Sequence, residues 1–277
     1  MNAMTQSAID HYGAAGLLPR IRDALATFGP EWTQLSVPQL AGLDHFHTGG
    51  ITSTGAVAKA AGLRAGMKVL DLGCGIGGPA RFLAAIYDVD VVGIDISTSF
   101  VDTARYLSVR CNLQDRTTFE LGDAVDPPVE EASFDRVFLL HVAMNISDRA
   151  DLYRSIRRVL KPGGRLATYD VVAGSGDLHF PVPWSSTPGG SHLLSANETR
   201  LALVDAGFRI ELASDETQIA TKWFGALQAS GPPPGPNLGL VLGAGFPGMT
   251  GNLARNLHEG RAGIFTVIAS RQEHHFP

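Results

Sequence analysis

One stretch constrains the fold more than any other: Val69-Leu70-Asp71-Leu72-Gly73-Cys74-Gly75-Ile76-Gly77-Gly78, a short apolar run that ends in an acid and then turns through glycines. The helix-compatible Pro79-Ala80-Arg81-Phe82-Leu83-Ala84-Ala85 follows, so the segment reads strand, loop, helix. Without a Cβ, Gly73 and Gly75 can take positive φ and let the backbone approach a ligand closely, while Gly77 and Gly78 allow tight entry into the helix. The first helical turn then presents N–H groups that have no intrahelical partner. Glycine turns also close ordinary βα units, and the next apolar run separates the two readings. Val89-Asp90-Val91-Val92-Gly93-Ile94-Asp95 again ends in an acid, 24 residues after Asp71. A carboxylate there is placed to accept both ribose hydroxyls of a nucleoside lying over the loop.

The whole chain sets the bounds. With 277 residues, 44% of them hydrophobic, it can hold one α/β domain and accessory segments. A net charge of −5 without a dense Lys/Arg run gives no electrostatic support for binding a phosphate backbone, so a nucleic acid partner is not expected. Cys74 and Cys111 have neither metal-ligand spacing nor a disulfide framework, which suits a reducing cytoplasm. No apolar stretch approaches the ~20 residues of a membrane helix, and no charged-then-apolar leader opens the sequence, so no membrane partner is expected.

Residues 1–62 are expected to form an N-terminal helical cap. Apolar positions at helical spacing over 17–25 are followed by the stop Gly29-Pro30. A polar loop from Gly42 to Gly50 carries Asp44-His45-Phe46-His47, and a helix follows over 52–61. Beyond the second strand the pattern gives a helix over 100–109, a strand over 117–121 ending in Gly122-Asp123-Ala124, and a fourth strand over 134–140. The segment 141–149 then lies at the carboxyl edge, where open α/β sheets bind ligands, with His141 and Asn145 four apart and able to project to one side. Ser147 or Asp148 caps a helix through Leu160, which Lys161-Pro162-Gly163-Gly164 terminates. A fifth strand over 165–172 leads into a loop over 173–192 whose Pro181-Val182-Pro183-Trp184 suits a rigid pocket wall, with Trp184 either an exposed lid or packed. A capped helix over 195–207, a sixth strand over 208–212 and a last strand over 264–268 complete the pattern. In the intervening insert, Gly243-Ala244-Gly245-Phe246-Pro247-Gly248 matches Gly-x-Gly-x-x-Gly. Pro247 falls inside that turn and too few residues remain for a ~30-residue βαβ unit, so it is read as the joint before a helix over 249–259.

Gly77 stands two places after Gly75, where dinucleotide loops place their third glycine three places after the second, and the loop opens with Asp71. In these features and in Asp95 and Asp123, residues 59–270 resemble class I S-adenosylmethionine-dependent methyltransferases. The resemblance implies a Rossmann-like doubly wound α/β sheet, mostly parallel with an antiparallel last strand. The domain would run over 63–270 with cap insertions at 173–192 and 214–262, and 271–277 would be a tail. It implies S-adenosyl-L-methionine as cofactor and S-adenosyl-L-homocysteine as product. The cofactor contacts would be Asp71 near the cationic methionyl end, Gly73, Gly75, Asp95, Ile96, Asp123 accepting from the adenine amino group, Ala124 and His141. Turn formation is the other role open to Asp123.

A narrower likeness rests on Asp44-His45-Phe46-His47-x-Gly-Gly, Met144-Asn145-Ile146-x-Asp, Leu160-Lys161-Pro162-Gly163-Gly164 and Pro181-Val182-Pro183-Trp184. These resemble the group near sarcosine/dimethylglycine and tocopherol methyltransferases, which implies a small-molecule methyl acceptor under a helical cap. Phe46, Asn145, Tyr169 and Trp184 are the expected substrate contacts. The scaffold methylates N, O, S and C centres alike.

Methyl transfer from a sulfonium is an in-line displacement with dispersed charge, for which positioning alone can supply roughly 7–11 kcal/mol. A base matters only where the nucleophile must lose a proton early. His47 and His45 are the first candidates, with His141 as a further catalytic candidate that orients alongside Asn145. The paired histidines are also open to metal binding with a third ligand from elsewhere, or to one packed and one solvated ring; no metal is assigned. Two other functions compete: an adenosylmethionine-binding regulatory protein without methyl transfer, and an NAD-dependent reductase, which the loop spacing disfavours. A monomer or homodimer is expected.

Overall fold

Apolar runs long enough for one strand each build a central sheet whose inner strands are buried on both faces. The computed structural model describes residues 16–28, 34–231 and 235–272. Its strands are β1 (Lys68–Leu72), β2 (Asp90–Asp95), β3 (Thr117–Leu121), β4 (Phe134–Leu140), β5 (Leu160–Ala173), β6 (Phe208–Asp215) and β7 (Ala262–Arg271). They form one seven-stranded sheet in the order β3-β2-β1-β4-β5-β7-β6. The first five pair in parallel, and β7 runs antiparallel to both β5 and β6. This is the doubly wound, mostly parallel sheet that the sequence implies.

Strand periodicity of two sends Val69 and Phe138 to one core and Leu70, Leu72, Val137 and Leu139 to the other. The first core is closed by α3 (Gly50–Ala60), α4 (Gly78–Tyr87) and α5 (Thr98–Arg110) through Val57, Leu83 and Ala104. The second is closed by α6 (Arg149–Val159) and α7 (Ala196–Asp205) through Leu152, Ile156 and Leu203. Side chains set the starts of these last two helices. Asp148 accepts from the Asp151 N–H at 2.9 Å, which decides between Asp148 and Ser147 as the cap. The Ser195 and Glu198 side chains close a reciprocal capping box on α7.

A third core sits beside the sheet. Leu17, Ile21 and Leu25 of α1 (Leu17–Thr27), spaced four apart, pack with Leu40 and Leu43 of α2 (Val37–Asp44), with Phe100 and Leu107 of α5, and with Val241 of α9 (Gly239–Leu242). Between α9 and β6 runs α8 (Thr217–Ser230), and α10 (Phe246–His258) follows α9. The N-terminal helices and the late insert thus meet on one side of the sheet, and the Leu238 N–H donates to the Gly42 carbonyl at 3.0 Å.

The last two strands run past the expected 208–212 and 264–268, three further departures from the sequence reading have local causes, and the Gly29-Pro30 stop lies outside the described residues. Helix α2 occupies the start of the stretch expected to be loop. Pro38 in its first turn and the Ser36 N–H donating to Gln39 Oε1 at 2.8 Å are its start signals. Helix α10 begins at Phe246 because Pro247 falls in the first turn, where a missing N–H costs no hydrogen bond. Strand β5 begins at Leu160, which pairs with Phe134, while Arg165 pairs with Arg136. Residues 161–164 therefore bulge opposite Asp135, with Gly163 at φ +70°.

One side chain ties the layers together. Arg81, fully buried on α4, donates through Nη2 to Asp44 Oδ2 and to the Ile76 carbonyl, both at 2.8 Å, and through Nη1 to the Ala104 carbonyl at 3.2 Å. It joins the end of α2, the glycine loop and α5. Replacing it with Gln strands a buried carboxylate, so Arg81→Gln is expected to cost about 3–5 kcal/mol in urea unfolding. Asp102→Ala, at the half-exposed Arg105–Asp102 pair, should cost under about 1 kcal/mol in the same measurement.

Candidate active site

The carboxyl ends of β1, β2 and β4 open into a cavity of about 730 Å³. The glycine loop forms one wall because its backbone is fastened to β2: the Gly73 and Cys74 N–H groups donate to the Ile94 carbonyl at 2.8 and 3.0 Å. Gly73 has φ +70°, and a Cβ there would lie 2.4 Å from Val142 Cγ2, so neither the dihedral nor the space admits another residue. The Gly75 N–H donates to Asp95 Oδ2 at 2.8 Å, and the Ser97 N–H to Asp95 Oδ1 at 2.9 Å, which sets the carboxylate at the cavity wall. Burial pushes Asp95 up to about 6, opposed by the backbone donors of Ser97, Gly75 and Ile96.

Asp71 lies behind the loop rather than on the wall, at 1% exposure. Burial, then the charge of Asp95, push it up to about 7, and its Oδ2 has no hydrogen-bond partner among the described residues. Two desolvated carboxylates, one with an orphaned oxygen, beside a cavity whose wall continues through Ile96, Asp123 and Ala124 fit a nucleoside that carries a positive charge. Asp123 Oδ1 accepts from the Val125 N–H at 3.1 Å, so the turn role is filled while the residue still lines the cavity. A dinucleotide does not fit this loop. Its third glycine stands one place too early for the dinucleotide pattern, and Gly78 packs against the end of α2, where a Cβ would lie 2.2 Å from the Asp44 carbonyl oxygen.

The opposite wall comes from the loop after α2. Phe46 stands edge-on to Phe100, with ring centroids 5.7 Å apart, and lines the cavity over Gly75. His47 lines it too, at 4% exposure, with Nε2 3.1 Å from the Gly50 carbonyl and 2.9 Å from Thr54 Oγ1. A carbonyl can only accept, so Nε2 carries the hydrogen and Nδ1 is left as the ring's acceptor. Burial, then His45 and His141, hold His47 well below the usual imidazole range, so it is neutral.

His45 is placed elsewhere. Its Nδ1 donates to Asp44 Oδ1 at 2.8 Å, in a pair with no side-chain exposure, and it does not line the cavity. This corrects its candidacy as a catalytic group: the Arg81-anchored carboxylate turns the ring into the packing behind the loop. The two rings lie 5.6 Å apart, and among the described residues no group of three or more His, Cys, Asp or Glu side chains is arranged to hold a metal.

Beyond β4, His141 sits at φ +55° with its N–H donating to the Tyr169 carbonyl at 2.8 Å. Its ring stacks on Tyr169 at 5.4 Å, and burial pushes it down to about 3. Tyr169 lies behind His141 with its hydroxyl 2.9 Å from Thr48 Oγ1, so the expected substrate contact is a support beneath the wall. Asn145 lines the cavity and donates through Nδ2 to the Val142 carbonyl at 3.2 Å. Trp184 is packed wall rather than exposed lid: it is 2% exposed and its indole N–H donates to Ser191 Oγ at 2.9 Å.

Arg81, Asp44 and Asp170 escaped the sequence reading. Asp170 accepts from the Ala143 N–H at 2.7 Å and the Val171 N–H at 2.9 Å, pinning the segment that carries His141 and Asn145. Burial pushes it up to about 6, with Arg149 opposing. An acid breaking the apolar run of β5 was the available signal.

Residues 70–168 match the family described as methyltransferase domain. The 27-O-demethylrifamycin SV methyltransferase of Amycolatopsis mediterranei (strain S699) is 38% identical over 160 residues, covering 56% of this chain and 59% of that protein. An O-methyltransferase of Pyrenophora dematioidea is 30% identical over 179 residues, covering 64% of this chain and 67% of that protein. The chain spans about half the length of several other curated relatives that it matches. In fold it is similar to geranyl diphosphate C-methyltransferase from Streptomyces coelicolor A3(2), with a TM-score of 0.71 at 17% identity over 98% of this chain and 99% of that one. A matched methyltransferase domain, relatives that share it, and a cavity at the carboxyl ends of the strands beside the glycine loop and Asp95 agree, and the chain belongs to the class I S-adenosylmethionine-dependent methyltransferases.

Proposed function

We propose that this chain transfers a methyl group from S-adenosylmethionine to a small-molecule acceptor by in-line displacement. The observation that carries the reading is one cavity that joins the Asp95 and glycine-loop wall to a wall bearing His47, Asn145 and Trp184. When bound, the cofactor supplies an electrophilic methyl on a sulfonium. Asp95 holds the ribose hydroxyls, Asp123 the adenine amino group, and Gly73, Gly75, Ile96, Ala124 and His141 the surfaces between. Asp71 acts on the methionyl end through its field. Phe46, Asn145 and Trp184 contact the acceptor, and His47 orients its nucleophilic atom and takes a proton where one must leave.

The helices before residue 63 and the segments 173–192 and 214–262 act as the cover, excluding water from the transfer. Among the described residues no helix is long and apolar enough to cross a membrane. Action in the cytoplasm on a small acceptor, without nucleic acid and as a monomer or homodimer, completes the reading.

Calorimetric titration tests it first: micromolar binding of adenosylmethionine and adenosylhomocysteine with no binding of NAD is expected, and binding of NAD alone overturns the proposal. Asp95→Ala removes charge-assisted contacts and should weaken cofactor binding roughly ten- to hundredfold. His47→Ala should leave that affinity within about twofold and lower turnover by about a hundredfold. A cation favours the ionised forms of Asp71 and Asp95, whose free-state values are raised to about 7 and about 6. Binding therefore releases protons below those values. Adenosylmethionine affinity should be flat above about pH 7 and fall as the pH drops through 7 and 6, with a shallower fall for adenosylhomocysteine, which lacks the sulfonium.

A further inference from the structure

The cavity divides its charge unevenly. At the nucleoside end stand Asp95 and Asp123. The far end is walled by Met144, Pro183, Trp184, Leu242 and Leu253, brought together from the turn after β4, the loop after β5, and helices α9 and α10. Each remaining charged residue on the lining is committed elsewhere. Both oxygens of Asp44 are taken, one by Arg81 and one by His45. Asp148 caps α6 and Asp151 pairs with Arg154, both exposed to solvent at the start of that helix. Arg149 is 8% exposed; its Nη2 donates to the His192 carbonyl at 2.9 Å, and its Nε and Nη1 are buried with no hydrogen-bond partner among the described residues.

What remains at the far end is polar without being charged. His47 is neutral with Nδ1 as its acceptor, and Asn145 keeps its amide oxygen after Nδ2 is used. A carboxylate, phosphate or ammonium placed here would lose its hydration, while the charges nearest by on the lining are either solvated, at Asp148 and Asp151, or buried, at Arg149. A hydroxyl would lose little, because one hydrogen-bond acceptor satisfies its donor.

Resting on the methyltransferase reading, we infer that the acceptor is an uncharged, largely apolar molecule presenting a hydroxyl group, and that the chain discriminates against amines, carboxylates and phosphate esters. The transfer then balances as follows: a hydroxyl lone pair forms the C–O bond, the methyl C–S bond breaks with its electron pair staying on sulfur, and the hydroxyl proton leaves through His47 Nδ1 to solvent. An ether, adenosylhomocysteine and one proton result. Orientation by His47 and apolar packing by Trp184 and Leu253 select the acceptor.

The test titrates the adenosylhomocysteine-saturated protein with three probes of one ring system: 2-naphthol, 2-naphthoate and 2-naphthylmethylammonium. Naphthol is expected to bind at least tenfold more tightly than either ion. Asn145→Asp, nearly isosteric on the lining, should weaken naphthol and strengthen the ammonium probe by about tenfold each way, and labelled adenosylmethionine should yield 2-methoxynaphthalene only with the first probe. The inference is overturned if either ion binds as tightly as naphthol, if naphthol fails to bind at millimolar concentration, or if Asn145→Asp leaves the order unchanged. Naphthoate binding that disappears in Arg149→Gln would assign Arg149 to an anionic acceptor and also overturn it. If adenosylhomocysteine itself does not bind, the methyltransferase reading is what fails.

Discussion

The ion pair between Arg81 and Asp44 is the contact on which the rest of the site depends. Neither side chain is exposed, and a buried pair adds little net stability once both charges have been desolvated. What it adds is placement. A planar guanidinium can reach acceptors in fixed directions, and here they belong to three elements: the α2 terminus, the glycine loop at Ile76 and α5 at Ala104. The loop leaving α2 is thereby held over the cofactor wall, with Phe46 against Gly75 and His47 on the lining. The pair also decides between two neighbouring histidines, because the second Asp44 oxygen captures His45.

Three acids end or interrupt buried strands at the same edge of the sheet, and burial raises all three, yet their surroundings separate them. Asp170 receives backbone donors from Val171, Ala143 and Val142 and feels Arg149, which is the environment of a carboxylate fixed as a strut. Asp95 also has three backbone donors, but it faces the cavity, so it is both fixed and available. Asp71 has the Ala80 N–H and an orphaned oxygen, and no cation among the described residues opposes its shift. A positively charged ligand beside them would favour the ionised form of both acids, a preference that the glycines do not carry.

Strands β3 and β4 were legible to the residue because each apolar run is bounded by turn-forming or polar residues, and a strand needs nothing beyond its own few positions. Elements whose form depends on partners were less so. Helix α2 has eight residues, and its start signals, Ser36, Pro38 and Gln39, are local but brief. The bulge at 161–164 reads as a helix stop, since Pro162 and Gly163 serve either use, and only the pairing of Leu160 with Phe134 reveals the strand. In the site, Asp95, Asp123, Phe46, His47, Asn145 and Trp184 reach the lining. His45 and Tyr169 do not, for a reason absent from their own neighbourhoods in the chain: one is drawn aside by an acid that Arg81 anchors from another helix, the other is covered by His141 across two strands.

The histidines also bear on how such a site works. An imidazole held far below its usual range by burial is a poor store for a proton at neutral pH, but it is a well-oriented hydrogen-bond acceptor, and its neutrality costs nothing in an apolar wall. Methyl transfer from a sulfonium disperses charge instead of building it at one atom, so the reaction asks for alignment and dryness more than for a strong base. The acids Asp71 and Asp95 stand at the ends of β1 and β2, while His47, Asn145 and Trp184 line the same cavity without a charge. In the proposed transfer the cationic donor gains from those carboxylates, and the nucleophile is oriented on the neutral groups across the cavity.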